Sequence, residues 1–215
     1  MSLKKTKIKY DLFKNVSYCN FISLVFRKFI SIFFYKFRFN KCNDLYVGKG
    51  FQTNGLKYIY IDKLTCGKNM RLEALSYYAG VLFTPQIEIG KNVSFGDNCH
   101  VASVLSIYIG NNCLFGSGVY ISDHDHGDYT NSICSSPQTS PAQRSLSSSP
   151  IKIGHNVYVG EYSVILKGVS IGNGSIIGAH SVVTKDVPLN SIVAGNPAKV
   201  IKIFNIHTNK WEKVS

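Results

Sequence analysis

The chain has 215 residues, 45% hydrophobic and 17% charged, with a mean hydropathy near zero. That suits one ordinary domain with a sizeable core, or one domain plus a short appendage, and excludes a disordered chain, a collagen and a small disulfide scaffold. Lys and Arg outnumber Asp and Glu by 24 to 12, a net +12, which fits a polyanionic partner such as nucleic acid, an acidic membrane face or a phosphate-bearing ligand.

Residues 1–44 read as a basic amphipathic segment. Residues 1–41 hold ten Lys or Arg against Asp11 alone, a local charge of +9. Ile22, Phe26, Phe29, Phe33 and Phe37 recur at spacings of three and four, which puts them on one helical face. The longest uncharged run, Asn15 to Phe26, is shorter than the roughly 20 apolar residues a bilayer demands. Two uses of such a helix stay open: packing on its own domain or a neighbouring subunit, or lying in a membrane interface. No recognised nucleic-acid motif accompanies it. The beginning of the chain lacks the pattern of a secretory leader. Cys19, Cys42, Cys66, Cys99, Cys113 and Cys134 form no C-x-x-C pair. A cytoplasmic protein with reduced thiols is therefore expected, placed at the inner face of the membrane if the basic helix binds lipid.

From residue 45 a period of six emerges. It begins weakly at Val47-Gly48, Ile61-Asp62 and Cys66-Gly67, and strengthens through Ile89-Gly90, Phe95-Gly96, Ile109-Gly110, Phe115-Gly116 and Ile121. It breaks over residues 122–150, a polar Ser- and Pro-rich stretch that opens with two His and two Asp. It then becomes strict. Ile153, Val159, Ile165, Ile171, Ile177 and Val183 are six apart, and four residues after each comes Val157, Ser163, Val169, Ser175, Ser181 or Val187.

Such a period is neither helical nor simple strand alternation. It suits a flat-sided coil in which each side is a short strand, the aliphatic residue points to the axis, and a glycine eases the turn. Three sides close one triangular coil, and stacked coils pair their strands. An all-β, parallel β-helix over residues 45–203 is expected, with residues 122–150 leaving it as a functional loop and 204–215 as a tail.

Ile109–His126, Ile153–Gly172, Ile177–Pro188 and Ala194–Ile201 together resemble the hexapeptide-repeat, left-handed β-helix acyltransferases, and among them the sugar and surface-polysaccharide O-acetyltransferases. The resemblance implies a homotrimer with acetyl-CoA in a groove between adjacent subunits. It also implies a histidine at the start of the protruding loop as general base on an acceptor hydroxyl. Counted without gaps from Gly110, the family pattern lands on His126, with His124 the competitor; Gly127 follows where the family often has proline. An imidazole suits proton removal near neutral pH, and Asp123 or Asp125 could accept its second N–H.

The same resemblance assigns Gly160 and Glu161 to the oxyanion donors and Tyr158, where the family often has Trp, to the wall of the acyl-donor groove. Ala179, Thr184, Lys185 and Lys199 match the coenzyme A positions, the two lysines as phosphate partners. Asp97, Asn98 and Arg144 are looser acceptor candidates. The implied activity is acetyl-CoA-dependent O-acetylation of a surface-polysaccharide sugar or its precursor, without nucleic acid; the alternative is N-acetylation of a nucleotide-linked amino sugar. A zinc-dependent carbonic anhydrase shares the coil, but His124 and His126 lack a third histidine at the required spacing, so no metal is expected.

Overall fold

Six-residue spacing becomes three columns of short parallel strands. A computed structural model describes residues 25, 26, 29, 31–36, 38–130 and 134–214. The first column stacks the beginning of Ile59–Cys66 with Gln86–Ile89, Ser106–Ile109, Ile151–Ile153 and Ser170–Ile171. The second stacks the end of Ile59–Cys66 with Val93–Phe95, Leu114–Phe115, Tyr158–Val159, Ile176–Ile177 and Ser191–Ala194. The third runs Gln52–Asn54, Arg71–Ala74, His100–Ser103, Tyr120–Ser122, Val164–Ile165 and Val182–Val183. These are the three faces of a left-handed parallel β-helix. The first edge joins faces one and two, the second joins two and three, and the third joins three and one.

The core follows the hexads. Ile153, Val159, Ile165, Ile171, Ile177 and Val183 are at most 2% exposed. The small residues four places on are buried too, and the serines among them hydrogen-bond the coil below, as buried hydroxyls must. Ser163 Oγ donates to Gly178 O (2.9 Å) and Ser175 Oγ to Pro188 O (2.7 Å). Cys99 and Cys113 occupy this position upstream, and their Sγ–H groups reach Gly116 O and Gly154 O, each at 3.1 Å. Cys66 fills an aliphatic slot, where burial pushes its thiol up to about 12. These cysteines are packing residues of the coil.

The glycines after each aliphatic residue act differently from the expectation that they ease a strained turn. A Cβ on Gly160 would lie 2.4 Å from Ala179 N, so what they permit is close stacking of coils. Among the described residues seven asparagines take left-handed turn positions, alongside other glycines such as Gly118, Gly168 and Gly174. Asn92, Asn112 and Asn156 have φ between 54° and 58°, which asparagine tolerates, and their amides form a ladder down the first edge at 3.1 and 3.2 Å.

Two insertions leave the third edge. One is a hairpin, Tyr77–Tyr78 with Val81–Leu82, that the hexad pattern had not marked. The other is the expected loop, rooted by an antiparallel ribbon of His124–His126 with Leu146–Ser148. The prism starts at Lys41–Val47, parallel to Ile59–Cys66. It ends on strands Lys199–Asn205 and Lys210–Lys213, the second of which lies in the stretch expected to be a tail.

Above the first coil, Tyr35 packs edge-on against Phe51 at 5.2 Å, and Phe39 is buried. Val25, Phe26, Phe29, Phe33 and Phe34 are exposed, with Phe29 stacked on Phe33. Lys4, Lys5, Lys7, Lys9, Lys14, Ile22, Arg27, Lys28 and Phe37 of the basic segment lie outside the described residues. Among the described residues no helix is long and apolar enough to cross a membrane.

Candidate active site

The loop departs where Asp123 turns inward. Its side chain is fully buried and collects five donors. Ser103 Oγ (2.6 Å), Leu105 N (2.9 Å) and Ser106 N (2.8 Å) reach Oδ2, while Val104 N and His124 Nδ1, both at 2.9 Å, reach Oδ1. Burial alone would raise this carboxyl's pKa. The hydrogen bonds from His124, Ser103 and the Val104 and Leu105 amides outweigh that and hold it below the usual carboxylate value. Asp123 is thus an ionised keystone for both the turn above it and the root of the loop.

An ionised Asp123 fixes the proton of His124 on Nδ1 and leaves Nε2 with its lone pair; the side chain is 9% exposed. His126, one ribbon step outward, is exposed. Its Nδ1 lies 3.1 Å from the Tyr78 hydroxyl, which is also 3.1 Å from Ala142 O. A carbonyl only accepts, so the hydroxyl proton goes to Ala142 and His126 Nδ1–H donates to the Tyr78 oxygen. In the neutral ring this arrangement leaves Nε2 as the nitrogen that can accept a proton. The Tyr78 ring meets the imidazole edge-on at 5.2 Å. The two insertions of the third edge therefore touch at this histidine.

Asp125 pairs with Lys167 Nζ at 3.2 Å, and the same ammonium donates to Ser147 O and Oγ. Lys167 belongs to the third edge of the next coil and ties the ribbon to the prism. Sequence reasoning identified neither Tyr78 nor Lys167. Arg144 is occupied inside the loop, where Nε donates to Thr139 O (3.0 Å) and a terminal nitrogen to the Tyr129 hydroxyl (2.9 Å).

The remaining expected residues divide between two edges. Thr184 and Lys185 sit on the third edge, one coil beyond Lys167. Gly160, Glu161 and Ala179 sit on the second edge, with Tyr158 leading into it from the second face, 42% exposed. Asp97 and Asn98 lie higher on that second edge as turn-builders: Asp97 Oδ1 accepts Lys68 N at 2.7 Å, and Asn98 Oδ1 accepts Asn69 Nδ2 at 3.0 Å. Lys199 opens the closing strand, paired to Ala194 and exposed. Within one chain the whole third face separates the histidines from Gly160 and Glu161. Among the described residues no three His, Cys, Asp or Glu side chains converge as metal ligands.

Comparison with known proteins matches this architecture. The bacterial transferase hexapeptide (six repeats) pattern covers residues 150–185, and the hexapeptide repeat of succinyl-transferase covers 86–123. WbbJ of Escherichia coli K12, named as a lipopolysaccharide biosynthesis O-acetyl transferase, is 37% identical over 203 residues, spanning 94% of this chain and 97% of its own. Galactoside O-acetyltransferase of the same organism is 34% identical over 143 residues, 66% of this chain and 64% of its own. Among solved structures, a hexapeptide-repeat acetyltransferase of Vibrio cholerae shares the fold, with a TM-score of 0.57 at 21% identity over 83% and 81% of the two chains. The polySia-specific acetyltransferase NeuO gives a TM-score of 0.50 at 26% identity over 74% and 84%.

Proposed function

We propose that this chain, which belongs to the hexapeptide-repeat acetyltransferases, transfers acetyl from acetyl-CoA to a hydroxyl of a surface-polysaccharide sugar or its precursor, with His126 as general base. The observation that carries this reading is the setting of the His126 ring: exposed at the root of the loop, with Nδ1 3.1 Å from a Tyr78 hydroxyl that also meets Ala142 O. WbbJ, alike over nearly the full length of both chains, supports the substrate class.

In this mechanism Nε2 takes the acceptor's hydroxyl proton as the oxygen attacks the thioester carbonyl. The tetrahedral oxyanion needs a backbone donor. Gly160 N–H is already spent on Ile177 O at 2.8 Å, which leaves the Glu161 N–H as the donor of that pair. The carbon–sulfur bond then breaks, and the imidazolium returns its proton to the departing thiolate. The histidines and Glu161 lie on different edges of one prism, so the third edge of one copy must meet the second edge of another. A homotrimer closes three such sites around the third faces. Tyr158, Gly160 and Ala179 would then flank the acyl donor, with Lys185 and Lys199 toward its phosphates.

A second reading takes His124 as the base. The observation in its favour is the Asp123 carboxylate on Nδ1, which would stabilise an imidazolium. A third element is attachment to the inner face of the membrane. The exposed Phe26, Phe29, Phe33 and Phe34, within the stretch 1–41 of charge +9, support it.

The deciding experiment incubates the purified protein with acetyl-CoA and either de-O-acetylated surface polysaccharide or nucleotide-linked amino sugars, following thiol release and product chemistry. An alkali-labile ester on the polysaccharide is expected. An alkali-stable amide as the main product would overturn the O-acetylation reading in favour of the amine acceptor.

A further inference from the structure

The first face carries a column of side chains that the mechanism does not use. Ile59, Ile61, Ile87, Ile89, Ile107, Ile109, Ile151 and Ile153 point inward and are at most 3% exposed. Strand alternation therefore turns Tyr60, Glu88, Tyr108 and Lys152 outward, in direct register with one another. Two depressions run along this column. One of about 270 Å³ is lined by Lys41, Tyr60, Asp62, Glu88 and Tyr108. The other, about 650 Å³, is lined by Ser106, Tyr108, Pro150, Lys152 and His155. Tyr108 lines both, so the two depressions adjoin at its side chain and are together called the cleft.

We propose that this cleft binds an oligosaccharide stretch of the acceptor, at a distance from the sugar that is acetylated. The inference rests on the polysaccharide reading above and deepens it. Tyr60 and Tyr108 are two coil steps apart, about 10 Å at the usual strand spacing, a separation suited to alternate rings of an extended glycan. Both tyrosines are partly buried, and Asn40 Nδ2 anchors the Tyr60 hydroxyl at 2.7 Å. Each offers a fixed apolar face to sugar C–H groups. Glu88 lies between them with Gln86 on its carboxylate, and Asp62 accepts from Asn43 at 2.9 Å. Carboxylates and amides are acceptors and donors for sugar hydroxyls, and with Lys41 and Lys152 offsetting Asp62 and Glu88 the lining carries no net charge that would call for a polyanion.

The cleft also leads to the right place. Ser106 donates its N–H to Asp123 at 2.8 Å, and Pro150 is the last residue of the loop that presents His126. The second depression borders the third edge at the level of the loop, so a glycan end that turns across Ser106 and Pro150 would reach the ribbon that carries His126.

The test uses the full-length protein and variants Tyr60→Ala, Tyr108→Ala and Tyr108→Phe, each first shown by thermal unfolding to keep the prism. The probe is a size series of de-O-acetylated oligosaccharides, from the single sugar to several repeats, titrated without acetyl-CoA and then used as acceptors. The Ala variants should weaken binding of the longer members and raise their KM about tenfold, with kcat and the single-sugar KM unchanged; Tyr108→Phe should behave as wild type. Equal loss on single sugars and long chains would overturn the inference. So would unchanged binding of the long chains, or a change in oligomeric state, which would make the face an interface. If the enzyme acetylates no saccharide, the polysaccharide reading falls, while the titration still decides whether the cleft holds a glycan.

Discussion

Replacing Asp123 by Asn keeps the shape of the keystone and removes its charge. Five donors converge on two oxygens, and an amide offers only one. The better orientation puts the amide nitrogen where Val104 N and His124 Nδ1 now donate. His124 can answer by moving its proton to Nε2, but the Val104 N–H is left unpaired and buried. An orphaned buried donor costs about 1–3 kcal/mol, and the remaining bonds lose their charge assistance. A loss of about 3 kcal/mol in unfolding free energy is expected. Urea unfolding at fixed protomer concentration measures it, because subunit association shifts apparent stability.

The pH dependence adds a second reading from the same variant. Asp123 has a depressed pKa in the folded state. Its contribution is present above the unfolded value of 3.8 and is lost as pH falls through the lower folded value. The wild-type advantage over Asp123→Asn should be constant near neutrality and close in acid. A variant within about 0.5 kcal/mol of wild type at neutral pH, the range of an ordinary surface change, would refute the keystone argument. The tautomer switch also separates the two histidines, because it removes the Nε2 lone pair of His124 and leaves that of His126 alone. Activity per folded molecule should therefore survive if His126 is the base.

Three further outcomes are expected. His126→Ala should lower kcat by about 10²–10⁴ with little change in acetyl-CoA affinity, and should abolish the imidazole limb of the pH–rate profile, whereas Tyr78→Phe should cost less because it frees the ring without removing it. Lys185→Ala and Lys199→Ala should each weaken acetyl-CoA by about 1.5–3 kcal/mol where the phosphate contact is well formed; equilibrium binding equal to wild type would remove them from the donor site. Gly160→Ala should lower the thermal midpoint sharply, because its Cβ would sit 2.4 Å from Ala179 N; a midpoint like wild type would contradict the close-stacking role of these glycines.

The coil was legible because burial repeats with the hexad. Each aliphatic position from Ile153 to Val183 buries its side chain against the axis, so the pattern of greasy residues is the pattern of the fold. What a glycine does there was not legible, since a turn residue and a residue of close approach look alike until the next coil is in place. The site was half legible for a different reason. A site needs residues on particular edges, and an edge returns only every third hexad. Gly160 and Gly178 are 18 residues apart and share the second edge; Lys167 and Lys185 are also 18 apart and share the third. Counting hexads in threes would therefore have put Lys167 beside the loop and Glu161 a full face away from it. No such count could have delivered Tyr78. It stands on one insertion and His126 on another, both have lost phase with the coil, and only their common departure from the third edge brings hydroxyl and imidazole to 3.1 Å. The repeat thus fixes which side chains share an edge, and the two irregular excursions bring the Tyr78 hydroxyl to the ring of His126.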